Sequence, residues 1–220
     1  MKLISFFSLH QKLITNTLWF TIGFGVVWFI TARIITNDRY LPTAIFLLST
    51  AFGMAKYFRK EIYQITKNTK LYEIFALVGT SLLIHSVTIY CIRNYVQQPV
   101  WPFDSRGSSF LLMNQYYVWA KPIDVLVQQL LIVLLVTRLN DLGASLNQIT
   151  RLFVIGFGLI HIFQIFNTDL LVALAYALVA IIYSYIFPRM ILLVRNGYIY
   201  NFMIHLATYN LAAILAWTLY

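Results

Sequence analysis

Charged residues are scarce in this chain of 220 residues, because Asp, Glu, Lys and Arg together make up only 10% of it. A soluble domain carries roughly a quarter charged residues, so this composition excludes an ordinary soluble globular protein. Apolar residues account for 60% of the chain, and the mean hydropathy is +0.76. They occur in runs long enough to cross a bilayer, for which about 20 residues suffice. The composition therefore predicts an integral membrane protein.

The sequence also has little of what many enzymes use to hold metals and phosphates. Its one cysteine, Cys91, excludes an internal disulfide and a cysteine-based metal cluster. It contains no H-E-x-x-H motif, no phosphate-binding loop and no Ser-His-Asp arrangement that we can assemble. Residues 1–12 lack the compact apolar region and small-residue cleavage site of a signal peptide, so we expect the first span to remain in the mature protein.

Seven apolar segments predict transmembrane helices, because backbone polar groups in hydrocarbon must bond within their own segment. The segments are Leu13–Ile35, Leu41–Phe58, Leu71–Ile92, Tyr116–Arg138, Leu152–Phe166, Leu170–Phe187 and Tyr198–Tyr220. The predicted fold class is all-α: a polytopic helical membrane protein with about seven transmembrane helices in a single domain over residues 1–220. Residues 13–115 supply three spans and an outer loop, and residues 116–220 supply a four-helix core.

The basic residues lie at the ends of apolar runs, so a net charge of +9 indicates membrane topology and a lipid partner rather than nucleic acid. With the N-terminus inside, the inner set is Lys2, Lys12, Lys56, Arg59, Lys60, Lys67, Lys70, Arg138, Arg151, Arg189 and Arg195, and the outer set is Arg33, Arg39, Arg93 and Arg106. This excess predicts a cytoplasmic N-terminus, as in a protein of the bacterial inner membrane. The loop from Lys56 to Lys70 is either an ordinary positive-inside loop or a site for anionic lipid headgroups.

Strongly polar residues are concentrated in the fourth, fifth and seventh predicted spans, where such residues usually face the bundle interior. They are Lys121, Asp124, Gln128, Gln129, His161, Gln164, Asn201, His205 and Asn210. From the helical rise, the two glutamines lie about 14 Å from the inner end of their span, with His161 about 15 Å and His205 about 12 Å deep. Three helices are therefore expected to bring an amide pair and two imidazoles to one level, with Asp124 and Asn210 one turn deeper.

Two interpretations of these polar residues remain open: a shared polar pocket, or separate hydrogen bonds that join helices and contribute roughly 0.6–2 kcal/mol each. Lys121 and Asp124 are three residues apart on a helix, and we expect them to pair with each other. His85 stands alone in the third span, which predicts a packing or hydrogen-bonding role.

Phe157-Gly-Leu-Ile-His161, followed by the stretch from Tyr183 through Arg195-Asn196-Gly197 to His205, resembles a known membrane family. It is the CPBP family, which comprises CAAX prenyl protease and bacteriocin-processing intramembrane endopeptidases. That family has Glu-Glu-x-x-x-Arg on one span, Phe-x-x-x-His on the next, and a later His followed by Asn or Asp. The resemblance covers roughly residues 116–215. It implies a CPBP-like four-helix core, with a Glu as general base and with His161, His205 and an Asn holding the water and the oxyanion.

The chain departs from that family at the residues that carry out the chemistry. Gln128-Gln129 stands in place of Glu-Glu, Val133 in place of Arg, and Asn210 follows His205 by five residues rather than four. A Gln amide can form hydrogen bonds but cannot accept a proton as a general base near neutral pH. Asp124 lies about 6 Å further along the helix, and a histidine base would be a different mechanism.

Three functions remain open. The chain is a degenerate CPBP-like protein, a pseudoenzyme that binds a membrane-protein partner, a prenylated or transmembrane peptide, or a lipid-like ligand in the polar pocket. Alternatively, it is an active intramembrane endopeptidase, a hydrolase that uses His161 and His205 with a non-standard base, or a membrane transport subunit. No cofactor is predicted, because a metal on the two histidines would lack the three or four protein ligands of a usual zinc site.

Overall fold

The computed structural model describes residues 10–23, 25–26, 40–97, 113, 116–158, 161 and 170–219. Regular structure in these ranges is helical, with no strand among them. The helices are α1 (residues 10–23), α2 (Tyr40–Tyr57), α3 (Arg59–Thr66), α4 (Leu71–Tyr95), α5 (Lys121–Asp141), α6 (Leu146–Phe153), α7 (Leu170–Leu193) and α8 (Gly197–Leu219), with π-helical turns at Tyr116–Ala120 and Val154–Gly158. The predicted all-α fold class is therefore confirmed.

Several of these helices are long and apolar enough to cross a membrane. Within the described ranges they are Leu71–Tyr95, Tyr117–Asp141 and Ala173–Leu193, and a fourth candidate is the pair Leu41–Tyr57 and Arg59–Thr66, which is bent by 83°. They agree with the second, third, fourth and sixth predicted segments. The first and fifth segments, Leu13–Ile35 and Leu152–Phe166, extend into residues outside the described part. Seven spans and a cytoplasmic N-terminus therefore stay predictions.

The central helix of the fold is α5. It packs against α2, α3, α6, α7 and α8. In the most apolar stretch of the helix that contains α5, 72% of the residues are buried, whereas the corresponding shares are 17% in α4 and 28% in α7. Its buried apolar side chains, from Ile132 to Leu139, pack with Phe153, Phe157 and Phe187 in the largest core cluster. The polar residues of α5 are thereby held inside the bundle, while α4 and α7 expose apolar surface of the kind that lipid solvates.

The start of α6 is stabilised by a capping box, a pair of hydrogen bonds between the residue before the helix and the third residue in it. Ser145 caps α6, because its hydroxyl accepts a hydrogen bond from the backbone N–H of Gln148, whose own side chain accepts one from the Ser145 N–H. The predicted sixth span ends too early, at Phe187, because α7 continues through Pro188 to Leu193. A proline inside a membrane helix is tolerated when neighbouring structure supports the backbone around it.

The backbone of the turn between α7 and α8 requires Asn or Gly at position 196 and Gly at position 197. Asn196 has a left-handed backbone with a φ of 61°, a conformation that Asn adopts more readily than most residues other than Gly. Gly197 follows it, and a Cβ added there would lie 1.8 Å from the carbonyl oxygen of Met190. Only glycine can therefore occupy position 197 without moving the end of α7.

A hydrogen-bonded network, which we name the turn latch, joins this turn to the residues before and within the first turn of α4. Its members are Thr69, Glu73, Arg195, Asn196 and Tyr198. The Arg195 guanidinium and the Asn196 amide donate to the two carboxylate oxygens of Glu73, at 2.5 and 3.2 Å. The Thr69 hydroxyl donates to Asn196 Oδ1 at 2.6 Å, and Tyr198 donates to Thr69 Oγ1 at 3.2 Å. The latch holds the starts of α4 and α8 together.

Candidate functional site

The first part of the site is a buried ion pair on α5. Lys121 Nζ lies 2.8 Å from Asp124 Oδ2, as the spacing of the two residues predicts, and both residues are 4% exposed. The second oxygen of Asp124 accepts a hydrogen bond of 3.0 Å from Gln128 Nε2. The Lys121 ammonium also lies 3.9 Å from the ring centroid of Tyr209 on α8, a cation–π contact. Both oxygens of Asp124 are therefore occupied within the protein.

The second part of the site joins α5 to α8. Gln129 Nε2 lies 2.8 Å from His205 Nδ1, so one amide of the predicted pair meets the imidazole expected at its level. The His205 ring stacks on Tyr209 with centroids 5.3 Å apart and planes at 20°. The ring of Phe187 on α7 lies 5.8 Å from it. Aromatic side chains from two helices thus fix the orientation of the imidazole. Together Lys121, Asp124, Gln128, Gln129 and His205 form what we call the polar cluster.

His161 lies near this cluster without a hydrogen bond to it among the described contacts. Its Nδ1 contacts the carbonyl oxygen of Phe157 at 2.5 Å, one turn back along the chain. It is close enough to His205 and Lys121 to interact with both electrostatically. The structure therefore brings His161 into the neighbourhood of the polar cluster, with its Nδ1 already engaged by backbone. The family's arrangement of two histidines around one water would need a ring nitrogen of His161 other than Nδ1.

The structure places Asn210 in a different group of residues from the predicted pocket. Its Oδ1 lies 2.7 Å from His85 Nδ1 and accepts a hydrogen bond of 2.9 Å from the Tyr117 hydroxyl. His85 Nε2 lies 3.2 Å from the Tyr117 carbonyl oxygen. The hydrogen-bonding role predicted for His85 is confirmed. Its partner could have been found from depth, because His85 lies about 21 Å along α4 and Asn210 about 20 Å along α8.

An apolar cavity of about 240 Å³, which the sequence pattern did not indicate, lies beside α5. It is lined by Ile62, Ile65 and Thr66 of α3, Ile74, Val78 and Leu82 of α4, Pro122, Ile123, Leu126, Gln129, Leu130 and Val133 of α5, and Tyr198, Ile199 and Phe202 of α8. Gln129 belongs both to this lining and to the polar cluster. It is 3% exposed, and its Oε1 has no hydrogen-bond partner among the described residues.

The chemistry open to this arrangement follows from the occupancy of its polar atoms. A general base must reach a water, and Asp124 is 4% exposed with its two oxygens bonded to Lys121 and Gln128, so its carboxylate has little access to one. The two glutamines cannot take up a proton near neutral pH. Among the described residues no three His, Cys, Asp or Glu side chains are grouped as metal ligands.

The chain matches no protein-family model, no curated protein and no solved structure. The resemblance to the CPBP family therefore rests on the residues quoted for it.

Proposed function

We propose that this protein is a non-catalytic, CPBP-like membrane protein that holds an apolar chain of a lipid-like ligand in the cavity beside α5. In this proposal it crosses a bacterial inner membrane seven times with its N-terminus in the cytoplasm. The observation that carries the proposal is the apolar lining of this cavity, to which α3, α4, α5 and α8 all contribute side chains. The family resemblance supplies the scaffold, and the departures at Gln128 and Gln129 account for the lack of hydrolysis.

The polar cluster supports a structural rather than a catalytic role. The Asp124 carboxylate is paired with the Lys121 ammonium and bonded to the Gln128 amide, so its polar contacts are made within α5. Releasing Asp124 to act on a water would leave the Lys121 charge buried without its partner, which is strongly unfavourable. The cluster therefore ties the start of α5 to α8 and keeps its charges neutralised in the membrane.

The cavity supports a binding role with a chain-like ligand. Its volume of about 240 Å³ is below the roughly 300–1,000 Å³ of whole small-molecule sites, which suits one segment of a longer molecule. Its lining is apolar except for Thr66, Gln129 and Tyr198. The cavity is open on one side, so one segment of a longer apolar chain can enter it and pack against its lining.

The proposal is tested with bound lipid and cleavage measured on the same preparations. Val78→Phe narrows the cavity from α4, and Leu83→Phe adds the same ring on the exposed face of that helix. Each protein is purified in detergent and mixed with phosphatidylcholine before native mass spectrometry. We expect one bound lipid in wild type and Leu83→Phe, and no bound lipid in Val78→Phe. Equal retention in all three proteins would refute binding in the cavity.

The cleavage measurement separates this function from the endopeptidase alternative. Wild type, His161→Ala and Gln128→Glu/Gln129→Glu are incubated with a panel of prenylated and transmembrane peptides. We expect wild type and His161→Ala to cleave none of them, because Gln128 and Gln129 stand where the resembling family has the glutamates that supply its general base. Cleavage by wild type that is lost in His161→Ala would overturn the non-catalytic assignment. Cleavage by the Glu variant alone would show a protease scaffold that lacks its base, in agreement with the proposal.

A further inference from the structure

The cavity is bordered by the densest group of basic residues in the described chain. Lys56, Arg59, Lys60, Lys67 and Lys70 are all exposed, and none of them forms an ion pair in the part of the chain that the structure describes. Of the two carboxylates in this region, Glu73 is bound to Arg195 and Asn196 in the turn latch. Only Glu61 on α3 therefore offsets the five positive charges.

The short helix α3 connects this charge to the cavity. It leaves α2 at an angle of 83°, so if α2 crosses the membrane α3 lies nearly along the surface. It has no buried residue of its own, and its Ile62, Ile65 and Thr66 line the cavity. A short amphipathic helix that carries basic residues near its apolar face is the form in which a chain lies at the headgroup boundary.

Two of the basic residues, Arg59 and Lys70, lie close in sequence to cavity-lining residues of α3 and α4. Arg59 precedes Ile62 by three residues on α3, and Lys70 precedes Ile74 of α4 by four. Residues three and four apart on a helix are neighbours on one face. Lys70 is the N-cap of α4 and has an extended backbone, so the helical spacing applies to Arg59; the carbonyl of Lys70 accepts from the Ile74 N–H at 3.3 Å, and its ammonium lies 5.8 Å from the ring centroid of Tyr72. One positive charge thus lies beside the lining on α3, and a second lies at the start of α4.

We infer that the cavity takes one acyl chain of an anionic phospholipid, whose headgroup phosphate lies on Arg59 and Lys70. The inference rests on the proposed function, because it requires a chain in the cavity, and it adds the class of the headgroup. Phosphate pairs well with a guanidinium and an ammonium, and each basic side chain near an anionic lipid strengthens its attraction. A zwitterionic lipid would place the same chain in the cavity without this charge complementarity.

The test compares phosphatidylglycerol with phosphatidylcholine of the same chains, added in equal amounts to the purified full chain and read by native mass spectrometry. Wild type should prefer phosphatidylglycerol by about thirtyfold, the effect of two charges near the surface. Arg59→Gln/Lys70→Gln should bind the two lipids equally and keep its total lipid. Arg151→Gln is the control for charge, because it removes an exposed basic residue of α6 that does not line the cavity.

The results test two claims: that an acyl chain binds in the cavity, and that an anionic headgroup is preferred. Val78→Phe should lose both lipids, and Leu126→Phe, which narrows the cavity from α5, serves as a second blocking variant if the first elutes as an aggregate in gel filtration. Equal binding of both lipids by wild type, with loss in a blocking variant, would overturn the headgroup inference and leave the proposed function intact. Unchanged binding in a monodisperse blocking variant would overturn both. Loss of the preference in Arg151→Gln as well would assign it to diffuse charge and also overturn the inference.

Discussion

Gln129 of α5 and His205 of α8 meet with their side-chain nitrogens 2.8 Å apart, and the same Gln129 lines the cavity. Gln129 thus belongs both to the polar cluster and to the lining. We therefore expect a substitution at Gln129 to change both the stability of the helix bundle and the shape of the cavity.

Replacing Gln129 with Leu should destabilise the protein by about 1–3 kcal/mol, because His205 Nδ1 then has no partner in a buried site. Thermal unfolding of purified protein measures the loss. Gln129→Leu/His205→Leu removes both polar groups, and we expect it to unfold at a temperature closer to wild type than Gln129→Leu does. If the double variant is instead less stable by the full sum of both single effects, the two side chains do not interact.

Replacing Asp124 with Asn should destabilise the protein by about 3–5 kcal/mol, because it leaves the Lys121 charge buried without a counter-charge. The double variant Lys121→Met/Asp124→Leu removes both charges, and we expect it to recover most of that stability. The measurement is a double-mutant cycle on the unfolding temperature at fixed detergent and lipid. Equal stability of Asp124→Asn and wild type would contradict the ion pair as the structure gives it.

Gly197→Ala should abolish folding or lower stability by more than about 4 kcal/mol, an exceptional range for one substitution. The added Cβ would lie 1.8 Å from the Met190 carbonyl oxygen. Gly53→Ala is the matched control, since a Cβ there meets no atom within 4 Å. In a helix this control should be neutral or stabilising by about 0.5–1 kcal/mol. Yield and elution volume from the membrane fraction report both effects.

Asn196 separates backbone strain from hydrogen bonding in the turn latch. Asn196→Gly keeps the left-handed backbone and loses the bonds to Thr69 and Glu73, whereas Asn196→Ala loses both. We expect Ala to be less stable than Gly by about 1–2 kcal/mol, the penalty of a left-handed conformation for a residue with a Cβ. If the two variants unfold together, position 196 carries no strain.

The level at which Gln129 meets His205 was predictable because helical rise is set by backbone geometry and is independent of packing. The direction in which each side chain points was not predictable from the sequence. Successive residues on a helix point about 100° apart, so Gln128 turns back to Asp124 on its own helix while Gln129 reaches α8. That difference depends on where the neighbouring helices lie.

Two other features depend on tertiary contacts that the sequence pattern does not contain. Asn210 bonds to His85 because α4 packs on α8, two helices that lie far apart along the chain. The cavity exists because side chains of four helices fail to fill the space between them, and no single segment encodes that. The all-helical class, by contrast, followed from composition and run length, which are local properties.

The turn latch also sets an order of assembly. Thr69 and Tyr198 are joined by a hydrogen bond across 129 residues of sequence, and chains emerge from the ribosome N-terminal end first. The α3, α4 and α5 walls of the cavity are thus synthesised well before the α8 wall that Tyr198, Ile199 and Phe202 supply. Until α8 docks, the lining of α4 and α5 faces bilayer lipid directly. For the proposed acyl-chain ligand, this order predicts that the chain reaches the α4 and α5 lining before α8 packs against it.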